Sequence, residues 1–569
     1  MHAVVSRWRN SAAVVLLALV SLAPAGAADP SAVRPMPGAT GATDALSAAI
    51  VARLHAGAFE APASRAEQQE LQRLYPPGRN AARWLDAGGR PGPQAQAALA
   101  LLTTADREGL VPADYHAEAL AQSAARLAGA GGPAPDEAAA WELGLSLGVL
   151  RYLRHLHVGR VDPSAVRFRL PVRDHHHDFA ALLDEALQGH RLTALVTGLT
   201  PPFGQYRALR EELARYRGLA ASPPPAALQT VPALAAGQRH AVVPALRERL
   251  RMLGDLPAHE AVDPQSDHYD APLAEAVRRF QLRHGLGVDG VLGRSTQETL
   301  NVPLARRVRQ IELAMERLRW LPHPDGRPFI AINIPMFRLW AWSAGGPDAE
   351  PALNMRVVVG RALDTQTPVF TEEMRYLVFR PYWNVPSSIV RQEILPALER
   401  DPGYLDRHEM ELVAGASDDA PAVAATPAHL ALLRQGGLRL RQRPGPRNAL
   451  GAVKFIFPNA HNVYLHGTPA LSWFERSRRD ASHGCVRLED PLALAQWVLR
   501  DQPQWTRERI EAAAAGKASL RVDLPQPLRV MLFYVTAAVV PGEGVVHFVA
   551  DVYGHDRRLE ALLARPPAR

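Results

Sequence analysis

The feature that most constrains this chain is a change of period near Phe329. Upstream, apolar residues recur at i, i+3 and i+4, as in Ala95–Leu102 and Ala138–His155, the spacing of one helix face. Downstream come short runs rich in β-branched and aromatic residues: Phe329–Ile334, Phe337–Trp342, Met355–Gly360 and Tyr376–Phe379. A helical period does not put one apolar face on a strand, so the two halves cannot share one kind of layer. The chain therefore reads as multidomain α+β, helices first and a mainly-β domain last, with antiparallel pairing favoured over βαβ units. Its 569 residues exceed what one core covers, and three or four domains are expected.

Breaks in the pattern divide the chain. Arg7 and Arg9 precede an apolar run from Ser11 to Leu22, followed by Ala25-Gly26-Ala27; residues 1–27 are expected to be an export signal, with a retained anchor as the alternative. No later run approaches the length of a membrane span. An Ala/Pro/Gly linker (28–42) leads to an all-helical scaffold domain (43–219), and Pro223-Pro224-Pro225 marks a second linker. Residues 231–302 form a compact unit of their own, with helices expected over Val243–Leu250 and Leu273–His284. Gly287-Val288-Asp289-Gly290 then supplies turns, and Ser295 or Thr296 is expected to cap a last helix. This unit resembles the three-helix peptidoglycan-binding domain found beside cell-wall enzymes, which implies contact with glycan or wall. A basic helix over Ala305–Trp320 joins it to the β domain, expected at 325–525. Within that domain a break at about 386–435 predicts a partly helical cap, with Ala414–Pro427 mobile. Residues 526–569 are expected to close the domain as strands.

Charge excludes little. A net +7 is small for this length, and no dense Lys/Arg run with interleaved aromatics points to nucleic acid. The run Asp174-His175-His176-His177-Asp178 suggests a metal site, but adjacent side chains point in different directions and rarely converge on one ion. A solvated surface run is expected, and no metal.

Cys485 is the single cysteine. It cannot form an intrachain disulfide, and an unpaired thiol in an exported protein is a liability unless used. It sits in the polar run Ser482-His483-Gly484-Cys485-Val486-Arg487, with His466 nineteen residues upstream. A thiol is a strong nucleophile only as thiolate, which a nearby imidazole or backbone N–H groups can generate. Gly484 lets the backbone turn tightly against a reacting carbonyl. Either His466 or His483 could be the base, and a buried, inert cysteine is the competing reading.

From Gly360 to Leu488 the sequence resembles the L,D-transpeptidases, YkuD-type cysteine enzymes of bacterial cell walls. The resemblance rests on His466 with Ser482-His483-Gly484-Cys485, and on Gly360-Arg361, Thr365–Pro368, Tyr382–Pro386, Pro444–Gly451 and Lys454–Asn459. It implies a periplasmic enzyme of the large Gram-negative type, with Cys485 as nucleophile and His466 as proton acceptor and donor. Backbone amides around His483 and Gly484 would form the oxyanion hole. Ser482, Arg487, Tyr382 and Trp383 would orient the site or bind substrate. Gly467 offers no side chain to orient the imidazole, so a backbone carbonyl must do so. The implied reaction joins a tetrapeptide stem to a diaminopimelate amine as a 3→3 cross-link through a thioester, with no cofactor. Hydrolysis by an L,D-carboxypeptidase, transfer to a lipoprotein or D-amino acid, and a non-catalytic wall-binding role are the alternatives.

Overall fold

The computed structural model describes residues 39–564, apart from 60–62, 79–80, 130–131, 171–176, 224–225, 258–262, 264, 324, 344–348, 364, 416, 418–419 and 541. The expected signal, most of the first linker, His175 and His176 lie outside the described residues. Among these, no helix is long and apolar enough to cross a membrane. His177 packs its ring against His157 at 4.6 Å between centroids.

The N-terminal domain is helical, organised around Pro135–Val158. Pro135 takes the first helical position, where its missing N–H costs nothing. The Ala- and Leu-rich run that follows is buried almost all round, the mark of a central helix. The last helix of the expected scaffold, Gly204–Ala221, behaves differently. It packs along Leu304–Arg319, where buried Arg319 donates to the Tyr206 hydroxyl at 2.8 Å and Arg217 pairs with Glu312 at 2.7 Å.

Residues 231–302 contain three helices, Val243–Leu253, Ala271–Arg283 and Arg294–Leu300. Buried Gln281 holds the Asp-Gly turn: its amide donates to Asp289 at 2.7 Å, and its carbonyl oxygen accepts from the Gly290 N–H at 2.8 Å. The expected cap of the last helix is corrected. Gly293 is the N-cap and makes no side-chain bond, because the helix starts earlier than the hydroxyls suggest. Thr296 instead lies inside the helix and accepts from Gln281 at 3.2 Å.

The β domain opens with β1 (Phe329–Asn333), β2 (Arg338–Trp342), β3 (Leu353–Gly360) and β4 (Phe370–Phe379). The cap follows, with β5 (Trp383–Asn384), β6 (Met410–Val413), β7 (Ala422–Val423) and β8 (Arg439–Gln442). The chain then returns through β9 (Val453–Ile456), β10 (Leu465–His466), β11 (Asp480–Ser482), β12 (Val486–Leu488) and β13 (Leu520–Phe533). The main sheet runs β11-β3-β12-β10-β9-β4-β13-β1-β2, and β2 also pairs with β3. Eight strands therefore close into a ring with β11 attached outside it, and closure removes edges that would otherwise be unpaired. Most pairs are antiparallel, as expected, but β1–β13, β10–β12 and β11–β3 are parallel.

The cap is a separate sheet, ordered β5-β8-β6-β7, with its own apolar cluster around Ile394, Leu412 and Leu440. Its strands begin at Trp383 and end at Gln442. Part of the Ala414–Pro427 run expected to be mobile is β7, paired to β6 at Leu412–Val423. A two-residue strand carries no readable alternation.

The closing segment is also corrected. Leu528–Phe533 continues β13 of the main sheet, and a separate pair follows, β14 (Ala537–Val539) with β15 (Val546–Phe548). The described chain then ends in a helix, His555–Leu563, whose buried Asp556 pairs with Arg317.

Candidate active site

Strand register assembles the site. In the parallel pair β10–β12, Leu465 lies opposite Val486 and His466 opposite Arg487, while the Val486 N–H donates to the Tyr464 carbonyl at 3.1 Å. Alternation along strands then sends Tyr464, His466, Cys485 and Arg487 to one face of the sheet, and Leu465 and Val486 to the core. His466 and Arg487, twenty-one apart in sequence, become neighbours because two adjacent strands run the same way.

The turn carrying the thiol is held from both sides. Gly484 has a φ of 112°, which a side chain would strain. The Ser482 hydroxyl donates to the Cys485 carbonyl at 2.5 Å and accepts from the Gly484 N–H at 3.2 Å. Thr367 donates to the Gly484 carbonyl at 2.7 Å, and Thr365 to the Ser482 carbonyl at 3.0 Å. Ser482 is thus part of the turn's own bonding. The Gly484 amide is occupied by Ser482, which leaves the His483 and Cys485 amides as the available donors.

Cys485 is half-buried, and its thiol donates to the Asn462 carbonyl at 3.7 Å. Burial pushes the thiol pKa up. Neighbouring Tyr464 counters this from its backbone and its side chain, and Lys454 and Arg487 add positive charge. Lys454 lies over the Tyr464 ring at 4.0 Å, and the Tyr464 and His466 rings are 5.6 Å apart. Tyr464 is the functional candidate that motif reading misses. Its signal is its place two residues before His466, on the same face of the strand.

His466 is 4% exposed, and its Nδ1 donates to the Gly467 carbonyl at 2.5 Å, which leaves Nε2 as the basic nitrogen. The carbonyl that the missing side chain at 467 calls for is that of Gly467 itself. A Cβ at this glycine would lie 3.1 Å from Pro491 Cγ and 3.3 Å from the Leu450 carbonyl. Burial, aided by Arg487, lowers the His466 pKa to about 3. Both shifts disfavour a thiolate–imidazolium pair, and no hydrogen bond joins the two side chains among the described residues.

His483 faces the other way. Its Nε2 meets Glu393 of the cap at 2.6 Å, in the π-turn Val390–Ile394. Arg487 is half-buried, with its Nε lacking any partner, and burial together with nearby Arg361 lowers its pKa. Tyr382 and Trp383 lie in the cap: the Arg441 guanidinium covers the Tyr382 ring at 4.4 Å, and Trp383 packs on the cap cluster.

Three family models match this chain. Residues 69–213 match a scaffold domain, residues 239–300 a "Putative peptidoglycan binding domain", and residues 327–511 the L,D-transpeptidase catalytic domain of YkuD type. A Haemophilus influenzae protein named "Putative L,D-transpeptidase" is 30% identical over 312 residues, covering 53% of this chain. This chain spans 60% of that relative's length. A Clostridium acetobutylicum crystal structure, titled as a fused Zn-dependent amidase/peptidase with a peptidoglycan-binding domain, aligns at 11% identity over 53% of this chain and all of its own. Its TM-score of 0.14 is too low to compare folds.

Proposed function

Starting from an L,D-transpeptidase catalytic domain joined to a peptidoglycan-binding domain, we propose that this protein forms 3→3 cross-links between peptidoglycan stem peptides through a thioester on Cys485. The observation that carries the reading is the shared face of β10 and β12, where Cys485, Tyr464, His466 and Arg487 stand together.

Cys485 Sγ attacks the carbonyl that links the L-centre of a tetrapeptide stem to its terminal D-alanine. His466 Nε2 takes the thiol proton as the C–S bond forms, then gives it to the departing amine as the C–N bond breaks. A diaminopimelate amine attacks the thioester in the second half. It loses a proton to His466, and the thiol leaves reprotonated. The neutral starting pair suits this order, because charge separates only as the bond forms. Tyr464 holds the sulfur anion, the amides of His483 and Cys485 receive the oxyanion, and Arg487 offers its unpartnered donor to a substrate carboxylate. The expected setting is the periplasm, reached through the N-terminal signal.

Incubation of the protein with disaccharide-tetrapeptide, followed by mass spectrometry, tests the reading. A 3→3 dimer with free D-alanine supports transfer. A tripeptide alone would replace it with an L,D-carboxypeptidase. No change in the peptide, with no adduct on Cys485, would leave only a wall-binding protein.

A further inference from the structure

A second cavity, of about 1040 Å³, lies between the three-helix unit and the β domain. One wall is the turn after Ala271–Arg283, from Leu282 to Val288; the floor is Leu304–Arg319; the far wall is the segment Phe474–Arg479 that leads into β11. Cys485, His466, His483 and Arg487 do not line it. Its volume is at the upper end of small-ligand clefts, enough for an extended peptide of several residues.

Arginines dominate the polar part of this lining, and two of them are buried without an acidic partner among the described residues. Arg307, 8% exposed, donates to Gln310 at 2.8 Å and to the Thr299 carbonyl at 3.2 Å, and lies over the Phe548 ring. Arg479, 9% exposed, bonds only to the carbonyls of Val357, Arg476 and Phe337. Burying a guanidinium without a counter-ion is costly, and proteins usually pair it. Of the four lining carboxylates, Glu489 pairs with Arg356, Asp556 with Arg317, and Asp551 accepts from Tyr534, while exposed Glu475 bonds neither buried arginine; Glu489 acts on Arg479 only through space, without a bond. Arg338 reaches Glu543 only at 4.0 Å. Consistent with this, burial and neighbouring arginines lower the pKa of both Arg307 and Arg479 to about 10. Apolar lining from Leu282, Val288, Met336 and Phe474 separates the arginines. Charges spread along two walls with apolar surface between them suit a chain bearing several carboxylates better than one compact anion.

We propose that this cleft is a second, non-catalytic site that holds a carboxylate-bearing stem peptide of the wall between the three-helix unit and the β domain, with Arg307, Arg338 and Arg479 as its anion contacts. The proposal rests on the wall peptide being this protein's ligand, and adds a place where it is held away from the thiol. A peptide seated there would touch the segment that continues through β11 to Ser482 and Cys485, so strand and enzyme would stay associated between turnovers.

The test uses the full chain with Cys485→Ala, carrying benzoylphenylalanine at Val288, which is 50% exposed and lines the cleft. Irradiation with disaccharide-tetrapeptide should crosslink the peptide to this position. Arg338→Gln combined with Arg479→Gln should weaken capture about tenfold or more at unchanged Tm. If the Arg479 variant does not fold, Arg338→Gln alone should still weaken capture severalfold. Peptide that binds by calorimetry but never crosslinks, or capture indifferent to Arg338→Gln, overturns the proposal. So does equal competition by inorganic phosphate at the same concentration, which would mark a compact anion site. Crosslinking in the Cys485→Ala chain, with no tetrapeptide turnover by the protein that keeps Cys485, would sink the proposed reaction and leave the cleft standing; turnover by the protein that keeps Cys485, without crosslinking in the variant, would do the reverse.

Discussion

Cys485 lies between two walls of different construction. On the barrel side, Tyr464 and His466 project from a strand whose backbone is paired to β12, and His466 is fixed further by the Gly467 carbonyl. On the cap side, the contact to the catalytic motif is His483 with exposed Glu393, in a π-turn of a cap that has its own apolar cluster. A group moving a proton must be placed within a few tenths of an ångström, and paired strands supply that precision. A cap that admits a peptide must separate, and a single solvent-accessible hydrogen bond costs little to break. On the proposed mechanism, the same motif divides its two histidines, one toward chemistry and one toward access.

Five variants and one titration bear on this contrast, from the largest effect to the smallest. Cys485→Ala should abolish every product, a loss on the order of 10⁴-fold or more; turnover that survives it would remove the nucleophile assignment. His466→Gln should lower kcat by roughly 10²–10⁴-fold, whereas His483→Gln should leave thiol acylation within about tenfold. If the two effects are reversed in single-turnover acylation, the division between the walls is wrong. Tyr464→Phe should raise the thiol pKa and slow acylation by about tenfold near neutrality, through loss of one hydrogen bond to the anion. The rate difference should close at alkaline pH, and a gap that stays constant with pH would point to packing instead.

Glu393→Gln should change acylation by less than about fivefold, because the pair it breaks is solvent-exposed. Its effect should appear in the ratio of hydrolysis to transfer, since the cap governs the entry of water. The titration concerns stability. The folded His466 pKa of about 3 lies below the unfolded value, so the unfolded chain binds more protons below about pH 6.5. Stability is then complete above that pH and declines as pH falls toward 3. His555, lowered to about 4 by burial, acts in the same direction. Tm measured from pH 7 to 4 should fall, and His466→Gln should make the fall shallower.

Much of this was legible in the residues. The strand runs before β4 are close to their observed positions because each is long, apolar and bounded by turn residues. The motif around Cys485 was legible as well, since Gly484 and Ser482 act within their own turn. In the closing segment the expected strand pair is present as β14 with β15, but strand and helix texture alternate over a few residues and His555–Leu563 is a helix. Tyr382 and Trp383, which the resemblance places toward substrate, make their described contacts in the cap.

By itself the sequence determined the order of helical and β regions, the solitary thiol and the two histidines, because period and residue chemistry are local properties. Only the tertiary structure decided that His483 turns to Glu393 of the cap while His466 is buried on the strand beside β12, that Tyr464 lies near the thiol, and that Arg307 and Arg479 share one cleft. Those facts depend on register between strands and on packing between units far apart in the chain. A one-residue slip in β10 would turn His466 into the core and leave the sequence unchanged.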